Sequence, residues 1–425
     1  MSRIAYTNAR LIDPATGLDE LGTLVIEDEW IAACGADVAV PEGAEIVDCG
    51  GHILAPGLID LCVHAGEPGA EHKETIDTVT RAAAAGGVTT IMVQPDTDPV
   101  IDDVAILEMV ARRARKIARI RVEAMGTITH GRDGEALGEI GLLKDAGAVA
   151  FTDAGRTIRS ATVMRRALSY ADNIGALLIT HAEDPDLGGA GVMNEGELST
   201  RLGLPGIPHA AELMGVERDI RLSELTGARC HIGQISAAGS VDILEDAKSV
   251  GIPITAGVSA AHLTLNENDI GEYRTFFRLS PPLRTEDDRQ ALVDGLARGI
   301  IDVVHSNHQP EDQEAKRQPF ELAAIGAIGV ETLLPAMLSL VHSGELELIT
   351  ALRAVTAAPA QLLGLEEGTL DVGAPADLVL IDLNTPWVLT PDALHSKSKN
   401  TPYEDRRLQG RAIRTIVRGR TVFEL

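Results

Sequence analysis

Aromatic residues are scarce in this chain: Phe, Trp and Tyr make up 3% of its 425 residues. That argues against a surface recognising partners through stacked rings, and for a core of small and branched aliphatics. Cysteine is nearly absent as well. Cys34, Cys49, Cys62 and Cys230 form no C-x-x-C pair, so no disulfide framework is expected and a reducing cytoplasm is the natural setting. Positive charge is in deficit, with 37 Lys and Arg against 63 Asp and Glu, for a net charge of −26. Such a surface repels phosphate backbones and anionic lipid, which excludes nucleic acid and membrane as expected partners. Otherwise the acidity reads as a solubility device. No apolar run approaches the roughly 20 residues needed to cross a bilayer. The opening MSRIAYTNARLID lacks the basic-then-apolar pattern of a signal peptide.

What is present is length and alternation. A chain of 425 residues exceeds one ordinary core and suits a barrel of roughly 250 to 300 residues beside a smaller domain. Near the start, Ile4–Leu11, Gly22–Ile26, Trp30–Cys34 and Glu45–Cys49 are β-prone runs punctuated by turns. Asp377–Ile381, Trp387–Leu389 and Ala412–Phe423 return to that texture at the other end. Neither end has enough strands for a robust sheet alone, so the two are expected to share one β-sandwich, built from 1–54 and 365–425.

Between them, over 55–364, strand and helix alternate. Expected strands are Thr89–Val93, Val122–Thr127, Val149–Thr152, Leu177–Thr180, His231–Ile235, Ile252–Thr255 and Ile301–Val304. Expected helices include Val104–Ile117, Ala161–Ala171, Ala210–Leu225, Ser240–Ala247 and Asp288–Ala297. This α/β alternation fits a (β/α)8 barrel or a doubly wound sheet. His64, His181, His231, His305 and His308, with Asp153, fall at or just past strand ends. Barrel active sites are assembled from C-terminal strand ends, so the series favours the barrel.

The segment Gly57–Gly69, GLIDLCVHAGEPG, resembles the first-strand motif D-x-H-x-H-x-R-x-P-G of the dihydroorotases. The likeness continues through Ala82–Ile91, Gln94–Asp102, FTDAG at Phe151–Gly155 and THAED at Thr180–Asp184. It extends to NEGELSTRLGLPGIPHAAE at Asn194–Glu212, SPPLR at Ser280–Arg284 and SKSKNTPY at Ser396–Tyr403. What the resemblance implies is an amidohydrolase-type TIM barrel that opens and closes a cyclic amide. In that chemistry zinc polarises a carbonyl and supplies hydroxide, an aspartate moves the proton, and an arginine grips the substrate carboxylate.

Checked job by job, the motif positions depart from that pattern. The two first-strand ligands fall on Cys62 and His64, and a bridging carboxylate on Asp153. His181 matches the next histidine, but the ligand after it falls on Gln234. His231, three residues earlier on the same expected strand, should point across it from Gln234. The last ligand and proton shuttle falls on Asn307, which can neither carry the charge nor accept the proton. Cys62 alone would be tolerable, since thiolate binds zinc. Among substrate-binding positions, the clamping arginine is replaced by Gly66, and two asparagines by Asp96 and Ser280. Glu311 stands for the closing histidine. Asp96 would bring negative charge towards an anionic substrate.

Beside these stand plainer expectations: Asp153 capping a helix or pairing with a base, Cys62 as a small buried hydrophobe, Trp30 and Trp387 as packing residues. No role is assigned to His231, His262, His305 or His308. The leading expectation is a noncatalytic dihydroorotase-like chain needing no cofactor. On the resemblance, it would assemble in an oligomer with the catalytic chain of aspartate transcarbamoylase. The alternative is an active cyclic amidohydrolase holding one zinc on Cys62, His64, Asp153 and His181. A small-molecule sensor built on the same pocket is a third reading.

Overall fold

A computed structural model describes residues 3–425. The two chain ends meet in one eight-stranded sheet. Its order is Arg420–Glu424, Arg407–Val417, Leu378–Val388, Ile53–Pro56, Arg3–Asp13, Leu18–Glu27 and Trp30–Gly35, with Glu45–Asp48 pairing in parallel with Arg3–Asp13. Ile53–Pro56 ties the ends together, being parallel to the first strand and antiparallel to Leu378–Val388. Tyr6, Leu11, Leu24, Ile26, Leu54, Leu378 and Ile416 bury one face of this sheet.

The sequence patterns differ from the strands in two places here. The expected run Ala412–Phe423 is a hairpin, because Arg418 and Gly419 take φ of 50° and 70° and reverse the chain. Asp377–Ile381 and Trp387–Leu389 belong to one strand, Leu378–Val388, whose pairing is interrupted between Asp382 and Pro386. Trp387 packs under Arg411, 5.6 Å from its ring centroid. Trp30 is 49% exposed, contrary to the expected packing role, because it lies on the outermost strand of the sheet.

The barrel opens with Leu58–Val63, followed by Val88–Val93 and Arg121–Ala124 in parallel register. Leu178–Thr180, Cys230–Ile232, Ile254–Ser259 and Val303–His305 continue it. The fourth place is held by the expected run Val149–Thr152, whose Val149 N and Thr152 N donate to the Ala124 and Gly126 carbonyls at 3.2 and 2.9 Å. Phe151 bridges Gly126 on one side and Leu178 on the other. Beyond it Ala154 turns the chain away with a φ of 51°. A bridge from Val63 to His308 closes the ring.

Local signals explain the helices well. Val104–Ile117 starts where the Asp103 side chain accepts from Ala105 N, and Ala161–Ile174 where Ser160 accepts from Val163 N. His209–Thr226 ends at Gly227, whose φ of 72° suits a residue without a Cβ. Sheet and barrel are pinned by Asp377, 2% exposed, which accepts from Arg121 of the third barrel strand and from Arg418 N. Among the described residues no helix is long and apolar enough to cross a membrane.

Candidate functional site

The C-terminal strand ends surround a cavity of about 300 Å³. Cys62, His64, Asp96, His181, Gln234, Ser280 and Asn307 all line it, together with His231 and His305. Asp153, Gly66 and Glu311 do not.

Cys62 lies on the first barrel strand and His64 just past its end, and both line the cavity. Cys62 is part-buried, not the enclosed hydrophobe expected of it. Its thiol donates to Asn307 Oδ1 at 3.3 Å because the strand end opens on the cavity. His64 Nδ1 lies 2.7 Å from Asp96 Oδ2. Burial opposes charge on both groups, but their mutual attraction and hydrogen bond outweigh it. The imidazole pKa is lifted to about 10 and the Asp96 carboxyl is held down at about 2. Asp96 therefore brings no bare negative charge to the cavity: His64 neutralises it, which corrects the sequence expectation.

Asp153 is turned out of the cavity. One carboxylate oxygen accepts from Ile128 N at 2.9 Å and Thr129 N at 3.0 Å, and the other from the Thr129 hydroxyl. It braces the loop after the third strand rather than capping a helix, and the neighbouring base Arg132 favours its charge from the side. Glu311 is likewise occupied, with Lys73 at 2.8 Å. Gly66 adopts φ +68°, and a Cβ there would stand 2.6 Å from the Glu74 carbonyl. The loop at the missing arginine has closed over the space that such a side chain would leave by.

His231 does reach the cavity. The expected strand His231–Ile235 ends at Ile232, so two-residue alternation does not extend to Gln234. The Gln234 amide donates to His262 Nδ1 at 3.0 Å, while His262 Nε2 donates to the Pro281 and Pro282 carbonyls at 3.0 and 3.2 Å. Two carbonyl acceptors fix the Nε2–H tautomer, and burial keeps His262 neutral by lowering its pKa to about 4. His305 accepts from Asn307 N at 3.1 Å and bonds the Gly233 carbonyl at 3.0 Å. His308 is fully buried and accepts from Gly329 N at 3.2 Å.

These residues do not fit the zinc centre that the family pattern implies. Among the described residues no three His, Cys, Asp or Glu side chains gather as a group that could hold a metal ion. Gln234 and Asn307 are neutral, and both Asp153 oxygens are spent on the loop. The sequence reading passed over Arg132 and Arg156, which also line the cavity. Their place in the loops after the third and fourth strands was the available signal.

A family model described as "Dihydro-orotase-like" matches residues 51–240, and one described as "Amidohydrolase family" matches 340–423. A protein named Dihydroorotase from Syntrophotalea carbinolica is 44% identical over 423 residues, covering 100% of this chain and 99% of its own. Another of that name, from Anaeromyxobacter sp., is 45% identical over 417 residues, covering 98% and 96%. In structure the chain is similar to an L-hydantoinase (dihydropyrimidinase) from Arthrobacter aurescens. The TM-score is 0.89 at 24% identity, over 100% of this chain and 96% of that one. At that identity the likeness establishes the fold, an amidohydrolase TIM barrel with a sheet from the chain ends.

Proposed function

This chain belongs to the dihydroorotase family, and from that premise we propose that it is a noncatalytic member of pyrimidine biosynthesis. Its barrel serves as a structural partner of the aspartate transcarbamoylase catalytic chain in a cytoplasmic oligomer, and it needs no cofactor. One observation carries the reading: the position of the proton shuttle is Asn307, whose Oδ1 accepts from Cys62 at 3.3 Å. An amide cannot relay a proton as a carboxylate does, and that assistance is typically worth about 10²–10⁴-fold. The occupied Asp153 and the closed loop at Gly66 support the same reading. The partner rests on family resemblance.

Kinship favours a second reading more than it favours the first. Relatives 42–45% identical along nearly the whole chain are named Dihydroorotase. On this reading the chain is an active zinc-dependent dihydroorotase with a rebuilt site at Cys62, His64 and His181, and Asp153 leaves its loop to join them. Metal analysis of protein purified without chelators, with a dihydroorotate hydrolysis assay, separates the two. The first reading expects neither stoichiometric zinc nor turnover, and either result overturns it. Co-elution with aspartate transcarbamoylase at micromolar concentration is expected, and separate elution refutes the partner assignment.

A further inference from the structure

The cavity at the barrel mouth has a charge unlike the rest of the chain. Asp96 is the one carboxylate on its wall, set against the guanidiniums of Arg132 and Arg156, so the chamber has an excess of positive side chains within a chain of net charge −26. Arg132 is held in place, its Nε and Nη2 donating to the Asp153 carbonyl at 3.1 and 3.0 Å. Arg156 Nη1 in turn donates to the Arg132 carbonyl at 3.2 Å. Both side chains also wall an outer cavity, whose Asp133, Glu135 and Glu183 leave it without the excess of positive charge found in the chamber.

A second observation is independent of this charge. His231 is 1% exposed and lines the same chamber. Its Nδ1 is engaged by the Thr255 hydroxyl at 2.8 Å, and its Nε2 is buried with no partner among the described residues. Buried polar atoms are nearly always met by protein, water or ligand.

We infer that this chamber binds a small molecule bearing a compact oxyanion, a carboxylate or a phosphate, gripped by Arg132 and Arg156. His231 Nε2 meets a polar atom of the same ligand. Two guanidiniums match such an anion in charge and in planar donor geometry. A space of about 300 Å³ admits a metabolite and excludes a polymer. The grip comes from the loops after the third and fourth strands, away from Gly66. Binding here requires neither zinc nor turnover, so this inference and the noncatalytic reading can fail separately.

Isothermal titration of the full chain, purified without added metal, against succinate and against inorganic phosphate tests the site. Saturable binding of at least one is expected, weakened about tenfold or more in Arg156→Gln by loss of a charge-assisted contact. Arg132→Gln should weaken it too, but that residue also props the Asp153 turn. The exposed Arg156 keeps the test readable if Arg132→Gln misfolds. Arg159→Gln, on the outer cavity alone, should leave affinity unchanged. Neutral succinamide should not bind. Succinate alone binding would assign a carboxylate, and phosphate alone a phosphate. Silence of both anions, equal binding by Arg156→Gln, or equal binding of succinamide would overturn the inference.

Discussion

Replacing Glu212 with alanine should destabilise the barrel more than any surface change, because two separate family-like runs meet at that carboxylate. Glu212 is 2% exposed and Arg284 3%. One Glu212 oxygen accepts from Ser236 N at 2.8 Å, Ala237 N at 3.0 Å and the Ser240 hydroxyl at 2.6 Å. Arg284 lies 3.7 Å from the other oxygen, and donates to Asn194 Oδ1 at 3.0 Å and the Ile207 carbonyl at 2.7 Å. Glu212→Ala orphans those donors and leaves a guanidinium uncompensated in the interior. Removing one half of a buried pair costs about 3–5 kcal/mol. That should appear as a lowered urea midpoint followed by circular dichroism. Adding Arg284→Met to Glu212→Ala should recover part of the loss, since the orphan charge is gone. The carboxylate also carries a pH signature. Burial pushes the Glu212 carboxyl up, but Arg284 and the Ser236 bonds more than reverse this, so its folded pKa lies below the ordinary 4.5. The unfolded chain then takes up the proton first, so the stabilisation is present above that value and lost as pH falls below it. Glu212→Gln should lack that acid-limb loss. A Glu212→Ala cost under about 1 kcal/mol, the size of one ordinary hydrogen bond, would refute the reasoning.

Asp377→Ala should loosen sheet from barrel at a cost of about 1–3 kcal/mol, moderated because Arg121 keeps Glu367 at 3.0 Å. Trp30 and Trp387 both sit in the terminal sheet, so tryptophan fluorescence should then melt ahead of circular dichroism. Coincident melts would count against the pin. Lys316, 3% exposed, has its pKa lowered by burial to about 8, so between there and 10.5 the unfolded chain holds the extra proton. Stability should therefore rise with pH across that window, and urea midpoints of Lys316→Met should lack the rise. Gly66→Ala should cost about 1–3 kcal/mol in thermal or urea melts, because a left-handed φ of 68° and the nearby Glu74 carbonyl both oppose a Cβ. An unchanged melt would mean that the loop has room for the arginine of the family pattern.

The fold was legible wherever short-range chemistry decided it. Val104–Ile117 emerged with its observed bounds because Asp103 caps a periodic apolar stripe. An error arose where one residue's dihedral outweighed the local composition. Arg418 broke an apolar run into a hairpin, and Ala154 turns the chain away just beyond the fourth strand. Neither residue type advertises a positive φ. His231 was misplaced for a related reason. Alternation predicts sides only while a strand lasts, and this one ends at Ile232.

The site was legible in position and not in commitment. A motif can say that Asp153, His64 and Gln234 sit at strand ends, but not what each side chain is already doing there. The partners of Asp153 are Ile128 and Thr129, 25 and 24 residues earlier, past the end of the preceding strand. Those of Gln234 and His64 are His262 and Asp96. The Asp153 contacts occupy both carboxylate oxygens, whereas those of His64 and Gln234 leave the His64 Nε2 and the Gln234 Oε1 unspent. For Asp153 the consequence is quantitative. To ligate a metal it would first have to give up three hydrogen bonds to a charged acceptor, each worth about 1.5–3 kcal/mol, and leave two buried backbone N–H groups unmet. A metal would have to overcome that with Gln234 and Asn307 as neighbours in place of anionic or imidazole ligands. The identity of the missing ligands and the occupation of the surviving one therefore act in the same direction. It is their conjunction, more than any one substitution, on which the proposed noncatalytic reading rests.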